Sequence, residues 1–262
     1  MESVFLAVAL PFVAAGVIPP LSRLLGDRVG YVGVAVAAVS FGLVVSRVGT
    51  TGSGAVAWIP SLDVALRLRV DAWALLFALL ASGIGVLIFA YAAHYMRGKP
   101  NLSRFYATLS AFMGSILGVA FASDLVALFL FWELTSVCSF VLIGYHTDDA
   151  ESRYSARMAM VITVGGGLCL LVALLLLSVA SGPALGGRTF DLATMLAESE
   201  AMRTALTERG LFVPVLLLVA VAAGAKSAQV PLHFWLPNAM VAPTPVSAFL
   251  HSATMVKVGV YL

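Results

Sequence analysis

Three ionisable side chains stand inside long apolar runs of this sequence: Glu133, Lys226 and Lys257. On membrane-insertion scales each costs about 2.5–3.5 kcal/mol, so together they cost on the order of 8–10 kcal/mol unless compensated. Such a cost has little structural reason to persist. The chemistry open to an isolated carboxylate and ammonium in an apolar medium is proton transfer. At ~4 Å, in an effective dielectric of ~20, Glu133 and Lys226 would attract by about 4 kcal/mol, and doubling the separation halves that. A modest movement could then switch Lys226 between holding a proton and passing it toward His251 or Lys257. His233 is a further candidate on that route. The competing reading of Glu133 and Lys226 is a static salt bridge pinning two helices, although buried pairs often add no net stability over apolar packing. Lys257 fits either a relay position or a lysine snorkelling toward a span end. His251 fits either a relay or a packing role, and Asp124, next to Ser123, is most simply a helix cap.

The elements that must position these residues are membrane helices. Of the 262 residues, 61% are apolar and 11% charged, against ~25% charged in an ordinary soluble domain. That excludes a soluble enzyme, a disordered scaffold and a nucleic-acid binder, and the net charge of +2 gives no argument for a polyanionic partner. Apolar runs at 4–21, 29–46, 72–95, 105–122, 125–145, 155–181, 211–230 and 245–262 predict an all-α, polytopic bundle of about eight spans. The runs do not alternate with period two, so barrel strands are excluded. Met1-Glu2-Ser3 lacks a basic signal-peptide start, so the first run is read as a retained span. Pro231 lacks an amide donor and should break the seventh helix beside Lys226, leaving carbonyls that need water. A short piece carrying His233 and Trp235 then leads past Pro237, Pro243 and Pro245 to the eighth span. Membrane transporters place ion sites at such breaks.

Between the spans, residues 47–71 read as a small β-hairpin, from Gly49, Gly52, Gly54, Pro60 and the alternation of Val64–Val70. Residues 182–210 read as a surface helix carrying Asp191, Glu198, Glu200, Arg203 and Glu208. Arg23, Arg28, Arg97, Lys99, Arg104, Arg153 and Arg157 concentrate in short loops on one side, which places those loops in the cytoplasm and the N-terminus outside. Gly165-Gly166-Gly167 lacks a following Gly-Lys-Ser/Thr, so close helix packing is favoured over a phosphate loop. Trp58, Trp73, Tyr91, Tyr95, Tyr106 and Tyr145 cluster near span ends and read as interface anchors. Cys138 and Cys169 lack metal-site spacing, the four histidines offer no i, i+4 ligand pair, and His94 and His146 lie near membrane surfaces. No metal or cofactor is expected.

Three stretches carry a resemblance. Phe131-Trp132-Glu133-Leu134-Thr135-Ser136, the segment Gly224–Pro237 and Ala242-Pro243-Thr244-Pro245-Val246-Ser247-Ala248 resemble the antiporter-like subunits shared by Mrp cation/proton antiporters and respiratory complex I. The continuation Leu250-His251-Ser252-Ala253-Thr254-Met255-Val256-Lys257, with Ser152-Arg153-Tyr154, is most similar to the large A-type subunits of the Mrp systems. The specific motifs cover residues 90–262, while the first 70 residues agree only in span count. The resemblance implies a 14-span subunit with two inverted five-helix repeats, each with a broken helix. It identifies Glu133 as the fifth-span glutamate, Lys226 as the seventh-span lysine, and His251 and Lys257 as part of the eighth-span relay. It divides the chain into residues 1–104, three spans with an outer hairpin, and 105–262, the first repeat. The last run reaches Leu262 after about 17 residues without a polar flank, where a span needs ~20. The chain is therefore expected to be the N-terminal portion of a longer subunit that exchanges no cations by itself.

The function implied is proton conduction within a multisubunit monovalent cation (Na+)/H+ antiporter of the cell (inner) membrane. Its partners would be the other Mrp subunits, protons, Na+ and the lipid bilayer, with no nucleic acid; it would be a secondary transporter subunit, not an enzyme. The rival is a proton-pumping subunit of a complex I or membrane hydrogenase assembly. A purely structural scaffold would require Glu133 and Lys226 to be replaceable by apolar residues.

Overall fold

A computed structural model of the chain describes residues 1–62 and 64–262. Helices α1 (Glu2–Leu25) and α2 (Val29–Val45) are joined by a tight turn over Gly26–Arg28. Strands β1 (Gly52–Ile59) and β2 (Val64–Val70) follow as an antiparallel hairpin. Then come α3 (Ala72–Tyr95), α4 (Leu102–Phe121), α5 (Leu125–Ile143) and α6 (Ala150–Leu185). The short helices α7 (Leu192–Ala197) and α8 (Ser199–Glu208) precede α9 (Phe212–Lys226). After α10 (Trp235–Asn238) and α11 (Thr244–Ala248), a π-helical turn over Phe249–Ala253 leads to α12 (Met255–Tyr261).

Aspartates start three of the long helices, because a carboxylate accepts from the first amides that have no partner within the helix. Asp71 accepts from Ala74 N, Asp124 from Val126 N and Ala127 N, and Asp149 from Glu151 N and Ser152 N. The core lies where α4 packs on α1 and α5, and α6 packs on α5 and α9. Small residues allow close approach there: a Cβ on Gly118 would lie 2.4 Å from the Phe131 ring, and one on Gly166 would lie 2.5 Å from Ala225 Cβ. Large apolar side chains such as Leu87, Val161 and Leu217 instead face outward. Water would oppose that surface, and lipid or neighbouring membrane helices would not.

Among the described residues, five stretches are long and apolar enough to cross a bilayer, or six counting the pair α8 and α9, which bend by 110°. The first stretch, Glu2–Val45, contains both α1 and α2. The structure therefore does not carry the expectation of eight spans, for reasons of length and continuity. Helix α9 has 15 residues, and the run expected as one eighth span divides into α11, the π turn and α12, with Thr254 at φ −126° and ψ −88° interrupting the helix. Conversely, α6 reaches 36 residues, about 54 Å at 1.5 Å per residue and longer than a ~30 Å hydrocarbon core.

The predicted hairpin and the helix in the 182–210 segment are both present, the latter as α7 and α8. Two expected interface anchors lie inside the protein instead. Tyr106 is buried and donates to Ala92 O, and the buried Tyr145 donates to Pro100 O. Trp73, Tyr91 and Tyr95 are exposed, in keeping with the anchoring role.

Candidate functional site

Helix α9 stops at Lys226 before Pro231 is reached. Ser227 caps it, Ala228 takes a left-handed conformation with φ 52°, Ala228 N donates to Ala225 O and Gln229 N donates to Gly224 O. That pair of bonds is a Schellman motif, which closes a helix by using up its last carbonyls. The expected proline clash is therefore not the first cause of the break. One of the carbonyls at this end gains a further donor, as Trp235 Nε1 donates to Ala225 O at 2.9 Å, and Ser227 Oγ reaches across to Val256 O of α12 at 2.8 Å. Trp235 is fully buried, so the indole ties the short α10 back onto the end of α9.

At that end Lys226 is itself fully buried. Its Nζ donates to Trp132 O at 2.9 Å and to Ser136 Oγ at 2.7 Å, and lies 5.0 Å from the centroid of the Trp132 ring. All these partners belong to α5. Two charge-assisted hydrogen bonds and an aromatic face are the means by which an ammonium is held away from water. Glu133 is on the same helix, next to Trp132, but makes no ion pair with Lys226 among the described residues. The expected contact at ~4 Å is thus absent, because the carbonyl and the serine take the ammonium while the carboxylate turns toward α6. There Glu133 Oε1 is buried without a hydrogen-bond partner, and a Cβ on Gly167 would lie 1.7 Å from it.

The remaining predicted residues scatter around this centre. His251 sits on the π turn with both ring nitrogens buried and unpartnered, its ring 6.3 Å from Trp235. His233 is half-buried with Nδ1 unpartnered, its ring 4.3 Å from that of Phe234. Lys257 is exposed on α12, and the interruption at Thr254 separates it from His251, so an unbroken helical spacing does not relate the two. His94 and His146 are exposed.

Asp124 is the cap expected of it and more. Fully buried, it accepts from Val126 N and Ala127 N through Oδ1 and pairs through Oδ2 with Arg67 of β2 at 2.5 Å. In the sequence Gly167 reads as a packing glycine, Ser136 as part of a motif and Arg67 as part of the hairpin, and none of the three is assigned to the site. Ser136 could have been found as a polar residue three positions after Glu133, on nearly the same helix face.

Apolar helices enclosing a fully buried lysine at a helix break define a multi-pass membrane protein with a candidate ion site. Comparison with known proteins narrows the class. Residues 122–262 match the family described as NADH:quinone oxidoreductase/Mrp antiporter, TM, and residues 58–106 match NADH-ubiquinone oxidoreductase (complex I), chain 5 N-terminus. The chain is 48% identical over 205 residues to a Rhizobium meliloti protein named as a probable K(+)/H(+) antiporter subunit of the A/B type, covering 78% of this chain and 20% of that protein. It is 43% identical over 211 residues to the Staphylococcus aureus protein named as antiporter subunit mnhA2, covering 80% and 25%. It superposes on a chain of the Mrp complex from Dietzia sp. DQ12-45-1b with TM-score 0.83 and 34% identity, covering 98% of this chain and 27% of that one. A second likeness, to the membrane-bound sulfane sulfur reductase, an archaeal respiratory membrane complex, has TM-score 0.81 at 19% identity and covers 98% and 39%; it shows the fold alone. The chain belongs to the NADH:quinone oxidoreductase/Mrp antiporter family and resembles the A-type subunits of Mrp systems. It spans 20% to 25% of the length of these curated relatives.

Proposed function

We propose that this chain conducts protons within a multisubunit Na+/H+ antiporter of the cell membrane, with Lys226 as the proton-carrying group at its centre. The observation that carries the reading is the fully buried Lys226 at the break after α9, held among the described residues by Trp132 O, Ser136 Oγ and an indole face. Glu133 is the opposite charge that acts on it from α5 through space. Because the two make no direct ion pair, their attraction lies below the ~4 kcal/mol of a contact pair and grows if either helix moves inward. His251, with two unpartnered ring nitrogens, takes the proton onward; Lys257 and His233 complete the route toward the two sides. Residues 105–262 form the conducting repeat and residues 1–104 its flank, with the N-terminus outside and the short arginine-bearing loops in the cytoplasm. The other Mrp-type subunits are its partners. The relatives at 43% and 48% identity are both named as antiporter subunits, which favours this reading over the complex I or hydrogenase alternative.

The test is sodium-driven proton movement in membrane vesicles containing the assembled complex. Glu133→Ala and Lys226→Ala should each abolish it while the complex still assembles. Normal exchange in either variant sinks the reading.

A further inference from the structure

Three consecutive glycines in α6 meet three different environments. A Cβ on Gly165 would meet nothing within 4 Å, one on Gly166 would lie 2.5 Å from Ala225 Cβ, and one on Gly167 would lie 1.7 Å from Glu133 Oε1 and 2.7 Å from its Cδ. Gly166 therefore sets the spacing between α6 and α9, whereas Gly167 faces α5. The Glu133 carboxylate rests on the bare backbone of α6, in space that any side chain at position 167 would fill. Its Oε1 is buried there without a hydrogen-bond partner among the described residues, so shape rather than a donor sets where that oxygen stands.

We propose that Gly167 is a positioning residue for Glu133, its missing side chain forming the seat that sets the distance from the carboxylate to Lys226. The proposal rests on the reading that Glu133 acts in proton transfer. The carboxylate ends a flexible side chain, so Gly167→Ala displaces it at little cost to the fold. Gly166→Ala meets a Cβ fixed to a backbone and must move a helix.

The experiment measures assembly and sodium-driven proton exchange in vesicles carrying the intact complex. Gly167→Ala should assemble and lose about tenfold or more in exchange, since a misplacement of ~1 Å can cost up to ~100-fold. Gly165→Ala should match the wild type. The decisive arm is Glu133→Asp, whose carboxylate is one methylene shorter. In that background Gly167→Ala should cost much less than in the wild type, because the two positions share one contact. An equal loss in both backgrounds overturns the proposal and leaves Gly167 an ordinary packing residue. Unchanged exchange in Gly167→Ala, with exchange abolished in Glu133→Ala, also overturns it while the functional reading stands; unchanged exchange in Glu133→Ala overturns both. Should Gly167→Ala fail to assemble, the double variant Glu133→Ala/Gly167→Ala decides. Recovered assembly supports the carboxylate clash, and continued failure refutes it.

Discussion

An ammonium has three N–H donors, and Lys226 has hydrogen-bond partners for two of them among the described residues, Trp132 O and Ser136 Oγ. Of these, the serine hydroxyl is the one that a substitution can remove. A hydrogen bond to a charged group contributes roughly 1.5–3 kcal/mol, so Ser136→Ala should weaken the hold on the protonated lysine without disturbing the apolar packing of α5. Exchange should fall several-fold with assembly intact, and Ser136→Thr, which keeps a hydroxyl, should recover most of it. Wild-type rates in Ser136→Ala would show that the carbonyl alone suffices. The identities of Glu133 and Lys226 were legible in the sequence because a charge in an apolar run is a signal of residue type. Their separation was not. It depends on the rotation of α5 about its axis and on a carbonyl, Trp132 O, that every residue possesses and no sequence pattern singles out. Gly167 was hidden for the same reason: among three adjacent glycines, only the packing of α5 and α9 decides which one faces the carboxylate.

At the level of elements, the break after α9 is built from local backbone and one indole. Prolines marked its neighbourhood in the sequence, yet the helix ends earlier, where Ala228 adopts the left-handed conformation and Gln229 N reaches Gly224 O. An alanine is an unexpected occupant of that position, because its Cβ crowds the following carbonyl at a cost of roughly 1–2 kcal/mol, which glycine avoids. Glycine also loses more freedom on folding, by roughly 0.5–1 kcal/mol. The balance favours Ala228→Gly by about 0.5–1 kcal/mol, and it should raise the thermal midpoint of the purified complex slightly without changing its exchange rate. A lower midpoint would mean that the Cβ makes contacts worth more than the strain. The last apolar run shows the complementary limit of sequence reading. Hydropathy finds the run but does not register the π turn and the interruption at Thr254, where Thr254 Oγ1 donates to Phe249 O. A hydroxyl that bonds a carbonyl within its own segment offers the backbone an alternative to the regular ladder.

At the scale of the molecule, two connections distant in sequence meet at the first residues of α5, the helix that carries Glu133 and Ser136. Ser123 N donates to Arg67 O of the hairpin and Leu125 N to Phe190 O of the segment before α7, while Leu192 N donates to Ser123 O. Asp124 fastens this junction with the ion pair to Arg67. The hairpin and the 182–210 segment were each legible from their own composition, but their meeting was not, since the contacts cross 56 to 69 positions of sequence. Neutralising the buried Asp124 removes the charge that holds the partly exposed Arg67 of the hairpin at this junction. Asp124→Asn keeps an oxygen that can still accept from Val126 N and Ala127 N, so α5 should remain capped while the hairpin loosens. Limited proteolysis of the membrane-embedded complex should then cut within residues 46–71 markedly faster than in the wild type, whereas Glu133→Ala, in the middle of α5, should leave that cleavage unchanged. Equal protection of the hairpin in Asp124→Asn would show that the backbone bonds at Ser123 and Leu125 hold the junction without the charge.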